Sequence, residues 1–226
     1  MTAPLKLVIF DCDGTIVDSQ HTIVACMQKG FQRHGLDAPE AESIRRTVGL
    51  SLIEGIARLA PDHPHETHEL LVDGYRSSFK EVKAQPDHHE AVYPGVQNAI
   101  TRLDEGGYLL GVATGKSQVG LRETLERHDF SSMFMTLQTA DINPGKPHPG
   151  MIESALRETG AEIENTVMIG DTTFDMEMAV NAGALAIGVS WGYHGKEELL
   201  EAGAHIIVDH GDDLLHQVTV LLGEKE

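Results

Sequence analysis

The chain has 226 residues, and 35 Asp+Glu against 17 Lys+Arg give a formal net charge of −18. That balance argues against a nucleic-acid surface, which needs clustered Lys and Arg, and against docking on an anionic membrane; a local pocket for a small anion is still allowed. The length and the 41% hydrophobic content fit one large globular domain, or one domain carrying a sizeable insertion.

The two cysteines, Cys12 and Cys26, are too few for a disulfide framework, so a reducing, cytoplasmic location is expected. The sequence MTAPLKLVIFD enters a strand-like run directly after Lys6, without a signal-type apolar region. No stretch approaches the ~20 apolar residues that a membrane helix needs.

In chain order, the first apolar run is 7–10, read as a buried strand. From 17 to 89 no strand is expected, only helices. One runs from near Ser19 and ends at Gly35. Another starts at Ser51, where Glu54 three residues later completes a capping-box pattern. A third spans 67–83, with Leu70, Leu71 and Phe79 at roughly helical spacing. Tyr93-Pro94-Gly95 then restarts an alternation. Strands are expected at 109–113, 133–137, 167–169, 184–189 and 206–208, with helices at 96–103, 119–128, 151–159 and 176–182. Such alternation predicts an α/β fold, a parallel sheet with helices on both faces. The expected organisation is a core of 1–16 and 90–226 with an all-helical insertion at 17–89.

In open parallel sheets, ligands bind beyond the carboxyl ends of the strands. Asp11-Cys12-Asp13-Gly14-Thr15 follows the first strand, and Thr114-Gly115-Lys116 follows the next. Lys146 sits in Pro144-Gly145-Lys146-Pro147, and Gly170-Asp171-Thr172-Thr173-Phe174-Asp175 follows a third strand. If these strands are neighbours, four carboxylates and two lysines meet on one rim. Crowded carboxylates need a counter-charge. Mg²⁺ is the natural one, being a hard cation that accepts carboxylate and phosphate oxygens. A carboxylate beside Mg²⁺ and lysine is a competent nucleophile toward phosphorus. Lys146, together with donors at Thr114 and Gly115, would surround the transferring group with positive charge. A second carboxyl two residues after the nucleophile can protonate a leaving alcohol and then deprotonate water.

These four motifs, in this order, resemble the haloacid dehalogenase superfamily on its phosphatase side. The resemblance covers essentially the whole chain and is closest to the phosphoglycolate-phosphatase-like group. It implies a Rossmann-like core with a mobile helical cap at 17–89. It further implies Asp11 as nucleophile, and Asp13 as general acid/base whose main-chain carbonyl joins Asp11 and Asp171 around Mg²⁺. Thr114 and Lys146 would hold the phosphoryl group, Asp175 would support Lys146 or a metal-bound water, and Thr15 would orient the loop. Dehalogenase and phosphonatase relatives lack an Asp at the position of Asp13, so its presence favours cleavage of a phosphate ester. One departure is Gly115, where the motif often has Asn. A backbone N–H there still reaches phosphate, and Lys116 either adds charge or faces solvent.

The expected substrate is therefore a small phosphorylated metabolite, phosphoglycolate-like. A phosphosugar mutase resembling β-phosphoglucomutase and a pyrophosphatase are the alternatives, and a non-enzymatic binding module is a third class. A mutase needs extra phosphate-binding groups in the cap, whose segment has eight Lys+Arg against twelve Asp+Glu between Thr15 and Val92. Within it, Arg45, Arg46 and Gly49 are candidates for substrate selection, an arginine being able to grip a second anionic group bidentately. His63, His65, His68 and the pair His88-His89 read as solvated surface rather than as a Zn²⁺ site. Cys12, Trp191, Tyr193 and His194 read as packing. The acidic stretch 196–226 reads as an aid to solubility. The oligomeric state is left open.

Overall fold

The computed structural model describes residues 4–85 and 90–223. Six parallel strands form the core sheet: β1 (Leu7–Phe10), β4 (Leu109–Thr114), β5 (Phe134–Thr139), β6 (Thr166–Gly170), β7 (Leu185–Val189) and β8 (Ile206–Val208). Their order is β5-β4-β1-β6-β7-β8. The chain thus builds outward from β1 on one side, then returns to build on the other. Phe10 is in register with Val112 of β4 and with Ile169 of β6. The carboxyl ends of these three strands are therefore level, and the residues following them share one rim.

Side chains of β1 alternate between two apolar layers, as the pleat requires. Val8 and Phe10 pack with Ile100 and Leu103 of α5 (Val96–Glu105) and with Leu121 and Leu125 of α6 (Gln118–Arg127). Leu7 and Ile9 pack with Met151 and Ile152 of α7 (Gly150–Thr159) and with Met176 and Ala179 of α8 (Thr173–Ala182). Burial on both faces explains the nearly continuous apolar character of these strands.

The 196–226 stretch is more than a solubilising tail. It supplies α9 (Lys196–Glu201), β8 and α10 (Leu214–Leu221). Leu199, Val208, Leu214 and Val218 are buried, while Glu197 and Glu201 on α9 and Asp209, Asp212 and Asp213 between β8 and α10 are exposed.

Between β1 and α5 lie four helices: α1 (Gln20–Arg33), α2 (Ala41–Arg45), α3 (Leu52–Leu59) and α4 (His65–Lys83). They enclose their own apolar cluster, in which Ile44, Ile56, Leu71 and Phe31 are buried. Ser51 and Glu54 form the reciprocal capping box at the start of α3. The insertion is entered and left through β2 (Val17–Asp18) and β3 (Ala91–Val92), which pair antiparallel. Two residues each are too short to read as strands in the sequence. The second boundary expected at 89/90 adjoins residues 86–89, so that boundary and His88-His89 lie outside the described residues. His68 departs from its expected place on a solvated surface. It is buried, and its Nε2 lies 2.8 Å from the Ala60 carbonyl just past α3. Among the described residues, no helix is long and apolar enough to cross a membrane.

Candidate active site

Asp11 is the first residue beyond β1, held by its N–H donating to the Ile169 carbonyl at 2.9 Å. The chain then turns sharply at Gly14, whose φ is +88°. A Cβ at Gly14 would collide with the Asp171 carboxylate, so this glycine meets both a backbone and a space requirement. The turn carries Thr15 back to donate its hydroxyl to Asp171 Oδ1 at 2.8 Å. The Tyr193 N–H donates to Asp171 Oδ2 at 2.9 Å. Asp171 is thereby fixed from the β1 loop on one side and the β7 loop on the other.

Lys146 is fully buried, its Nζ 2.9 Å from Asp11 Oδ1 and 2.6 Å from Asp175 Oδ1. Asp175 uses its other oxygen to cap α8, accepting from the N–H and hydroxyl of Thr172 at 3.0 and 2.7 Å. The same carboxylate thus caps a helix and orients the lysine. Burial works against the Lys146 charge, yet the carboxylates of Asp11 and Asp175 outweigh it and raise the lysine above its ordinary range.

Asp11 differs from its neighbours. Its two oxygens are buried and, apart from the ion pair of Oδ1 with Lys146, have no hydrogen-bond partner. Burial pushes its carboxyl up from 3.8 to about 7; Lys146 opposes that rise, and Asp175 and Asp13 add to it. Burial, then the charges of Asp11 and Asp175, also raises Asp171 well above its ordinary value. Ligand atoms of Asp11, Asp171 and Asp175 all lie within 4.8 Å of one another, the only such group among the described residues. Three buried carboxylates against one ammonium leave excess negative charge and unfilled oxygen lone pairs. A hard, oxygen-seeking divalent cation fits that donor set.

Asp13 faces the cavity on the other side of the loop. Its Oδ1 accepts from the Ser19 hydroxyl at 2.6 Å and from Lys116 Nζ at 2.8 Å. Lys116 is therefore committed to the site and does not face solvent. Burial lowers it and Asp13 raises it, with a net rise. Thr114 ends β4 almost fully buried, and its Oγ1 accepts from the Lys116 N–H at 3.3 Å.

Gly115 explains the departure seen in the sequence. A Cβ at this position would strike the Leu50 carbonyl oxygen in the loop before α3. The inserted helical unit thus sits directly on the loop after β4, where a larger residue would have no room. Gly115→Ala is expected to lower the melting temperature by an amount equivalent to about 1–3 kcal/mol, the usual cost of overpacking. It is also expected to reduce kcat/KM at least tenfold. Thermal melts and initial rates on one preparation check both.

Gly49 lines the main cavity, but Arg45 and Arg46 do not. Arg45 pairs with Glu42 at 3.3 Å. Arg46 makes a two-pronged contact with Glu198 at 2.9 and 2.5 Å, tying α2 to α9. Residues read as packing also touch the site. Trp191 Nε1 donates to the Thr15 carbonyl at 3.1 Å, and His194 Nδ1 accepts from the Thr173 N–H at 3.1 Å. Cys12 is fully buried in the sheet core, and burial raises its thiol well above its ordinary value. Sequence reasoning missed Ser19 altogether. Its only local signal was a helix start, and its role depends on where α1 leaves the loop.

A rim of this chemistry at the switch point of a parallel sheet, covered by an inserted helical unit, defines a hydrolase of the α/β class. The chain belongs to the haloacid dehalogenase-like hydrolase family, whose model matches residues 8–189. It is 35% identical to a probable phosphatase, IndB, of Dickeya dadantii over 96% of this chain and 94% of that one. It is 30% identical to the pyrophosphatase PpaX of Listeria monocytogenes over 95% and 97% of the two chains. A predicted phosphatase of Clostridium acetobutylicum has a similar structure, with a TM-score of 0.85 at 26% identity, covering 96% of this chain and all of that one.

Proposed function

We propose that the protein is a Mg²⁺-dependent phosphomonoester hydrolase that works through an aspartyl-phosphate on Asp11. The observation that carries this reading is Asp11 itself, a buried carboxylate beside a buried lysine, lining a cavity, with oxygens that no aligned donor occupies. Asp11 and Asp171 side chains with the Asp13 main-chain carbonyl would hold Mg²⁺, which when bound supplies positive charge to phosphoryl oxygens.

An Asp11 oxygen attacks phosphorus in line with the ester oxygen. The P–O bond to the alcohol breaks, and Asp13 delivers its proton to the departing oxygen. Asp13 then takes a proton from water, the water oxygen attacks phosphorus, and the bond to Asp11 breaks, releasing phosphate. Lys146 neutralises charge between Asp11 and the phosphoryl group, and Thr114 and Gly115 offer donors to its oxygens. Ser19 and Lys116 keep Asp13 aimed at the cavity.

A mutase would need a cationic grip on a second phosphate in the cap. Arg46, one candidate for it, is engaged with Glu198, while Arg76 and Lys80 line the cavity, so sugar 1-phosphates belong in the assay, where isomerisation without phosphate release would mark a mutase. The test is phosphate release from phosphomonoesters with Mg²⁺ and with chelator, plus acid quenching with labelled substrate to trap phosphate on Asp11. Asp13→Asn is expected to lower kcat by about 10²–10⁴, the usual range for a general acid/base. Turnover without Mg²⁺, or no trapped phosphate on the wild type or on Asp13→Asn, would sink the mechanism.

A further inference from the structure

We propose that the substrate is a phosphomonoester whose alcohol carries a bulky ring system, apolar on its faces and edged with hydrogen-bond acceptors. The inference rests on the phosphomonoesterase reading and names its leaving group. The cavity that begins at Asp11 and Asp13 has a volume of about 940 Å³. That is at the upper end of the range occupied by drug-sized ligands. A phosphoryl group on a two-carbon acid would leave most of it unfilled.

The volume belongs to a cap that is already seated. Arg46 of the cap holds Glu198 of the core. Lys83 at the end of α4 holds Glu123 of α6 at 2.7 Å. The Leu50 carbonyl abuts Gly115. These contacts join cap to core at three separate places around the cavity.

Ile23, Val48, Leu52, Val72, Tyr75 and Phe79 give the cavity an apolar lining, broken where the ammoniums of Lys83 and Lys116 lie 5.0 and 5.8 Å from the Phe79 ring centroid. Tyr75 and Phe79 stack with ring centroids 5.9 Å apart. Such a lining leaves the hydroxyls of a sugar unpaired, which costs binding energy, whereas a ring system buries its faces there favourably. The arginines expected to grip a small diacid are engaged elsewhere. Of the α4 cations that line the cavity, Lys83 is paired with Glu123, while Arg76 and Lys80 lie on exposed turns and can donate to acceptors on a long leaving group.

The test compares kcat/KM with Mg²⁺ for pyridoxal 5′-phosphate, 2-phosphoglycolate, glucose 6-phosphate and pyrophosphate. Pyridoxal 5′-phosphate, the ring-bearing ester, is expected to exceed the other three at least tenfold. A preference for phosphoglycolate, glucose 6-phosphate or pyrophosphate, or a spread below tenfold, overturns the inference and leaves the hydrolase reading standing. No turnover of any compound overturns both. Phe79→Leu supplies a second readout. It is expected to lower the ratio of kcat/KM for the ring-bearing ester to that for 2-phosphoglycolate at least fivefold. The ratio is read within one preparation, so loss of folded protein cancels; an unchanged ratio overturns the inference.

Discussion

Asp11→Asn is expected to abolish turnover, by at least 10³-fold, while making the metal-free protein more stable than the wild type. The two effects have one origin. The Asp11 carboxylate is buried, lacks aligned donors and faces Asp175 and Asp171, so its charge is costly to the fold and valuable to the chemistry. Its carboxyl is raised from 3.8 to about 7 by burial, against the pull of Lys146. A carboxyl whose native value lies above its unfolded one favours folding while protonated. That contribution is complete below about pH 4 and is lost as pH rises through about 7. The wild type without metal should therefore lose a few kcal/mol of stability across this window, at roughly 1.4 kcal/mol per unit. The Asn variant should show a flatter profile. Melting temperatures from pH 4 to 8, with and without Mg²⁺, test this. Equal slopes for the two proteins would remove Asp11 as the source, and Mg²⁺ should stabilise the wild type more than the variant.

Lys146→Met is expected to have the opposite effect on stability and a similarly severe one on rate. Removing the ammonium leaves Asp11 and Asp175 buried without the cation that lies 2.9 and 2.6 Å from them. Breaking a buried pair in this way costs about 3–5 kcal/mol. Loss of one positive group at the phosphoryl site costs about 10²–10³ in kcat. The double variant Lys146→Met/Asp11→Asn should recover part of the stability and none of the activity, because it removes one of the orphaned charges. Urea titrations of the single and double variants supply the coupling energy. Strict additivity would mean that Lys146 and Asp11 do not share their energetics.

The sheet and its rim were legible because their signals are local. β1, β4, β6 and β7 are short apolar runs, and each motif follows a strand or sits between two. The Ser51–Glu54 capping box was equally readable, since both partners lie within one turn. What the sequence could not show was assembled from distant segments. Ser19 and Lys116 meet on one oxygen of Asp13 although 97 positions of numbering separate them. Arg46 looked like a substrate grip from its neighbourhood, but its partner Glu198 lies 152 residues away. Gly115 read as a missing side chain until the Leu50 carbonyl was seen beside it. The acidic end of the chain misled through composition, because charges on α9 and between β8 and α10 hid the four buried residues Leu199, Val208, Leu214 and Val218.

The central position of β1 also sets the order in which the site can form. The strand that carries Asp11 leads the sheet in sequence, yet one of its two neighbours is β6. The Thr15–Asp171 hydrogen bond closes a separation of 156 residues. During synthesis, Asp11 must therefore wait beside an unfilled sheet edge until most of the chain has emerged. Contacts of such separation slow folding, and the waiting edge is a template for wrong pairing. The helical cap follows β1 directly and encloses a cluster of its own. It is complete in sequence before β4 arrives, so an early-folding cap would sit next to the exposed first strand while the other half of the carboxylate rim is still being made.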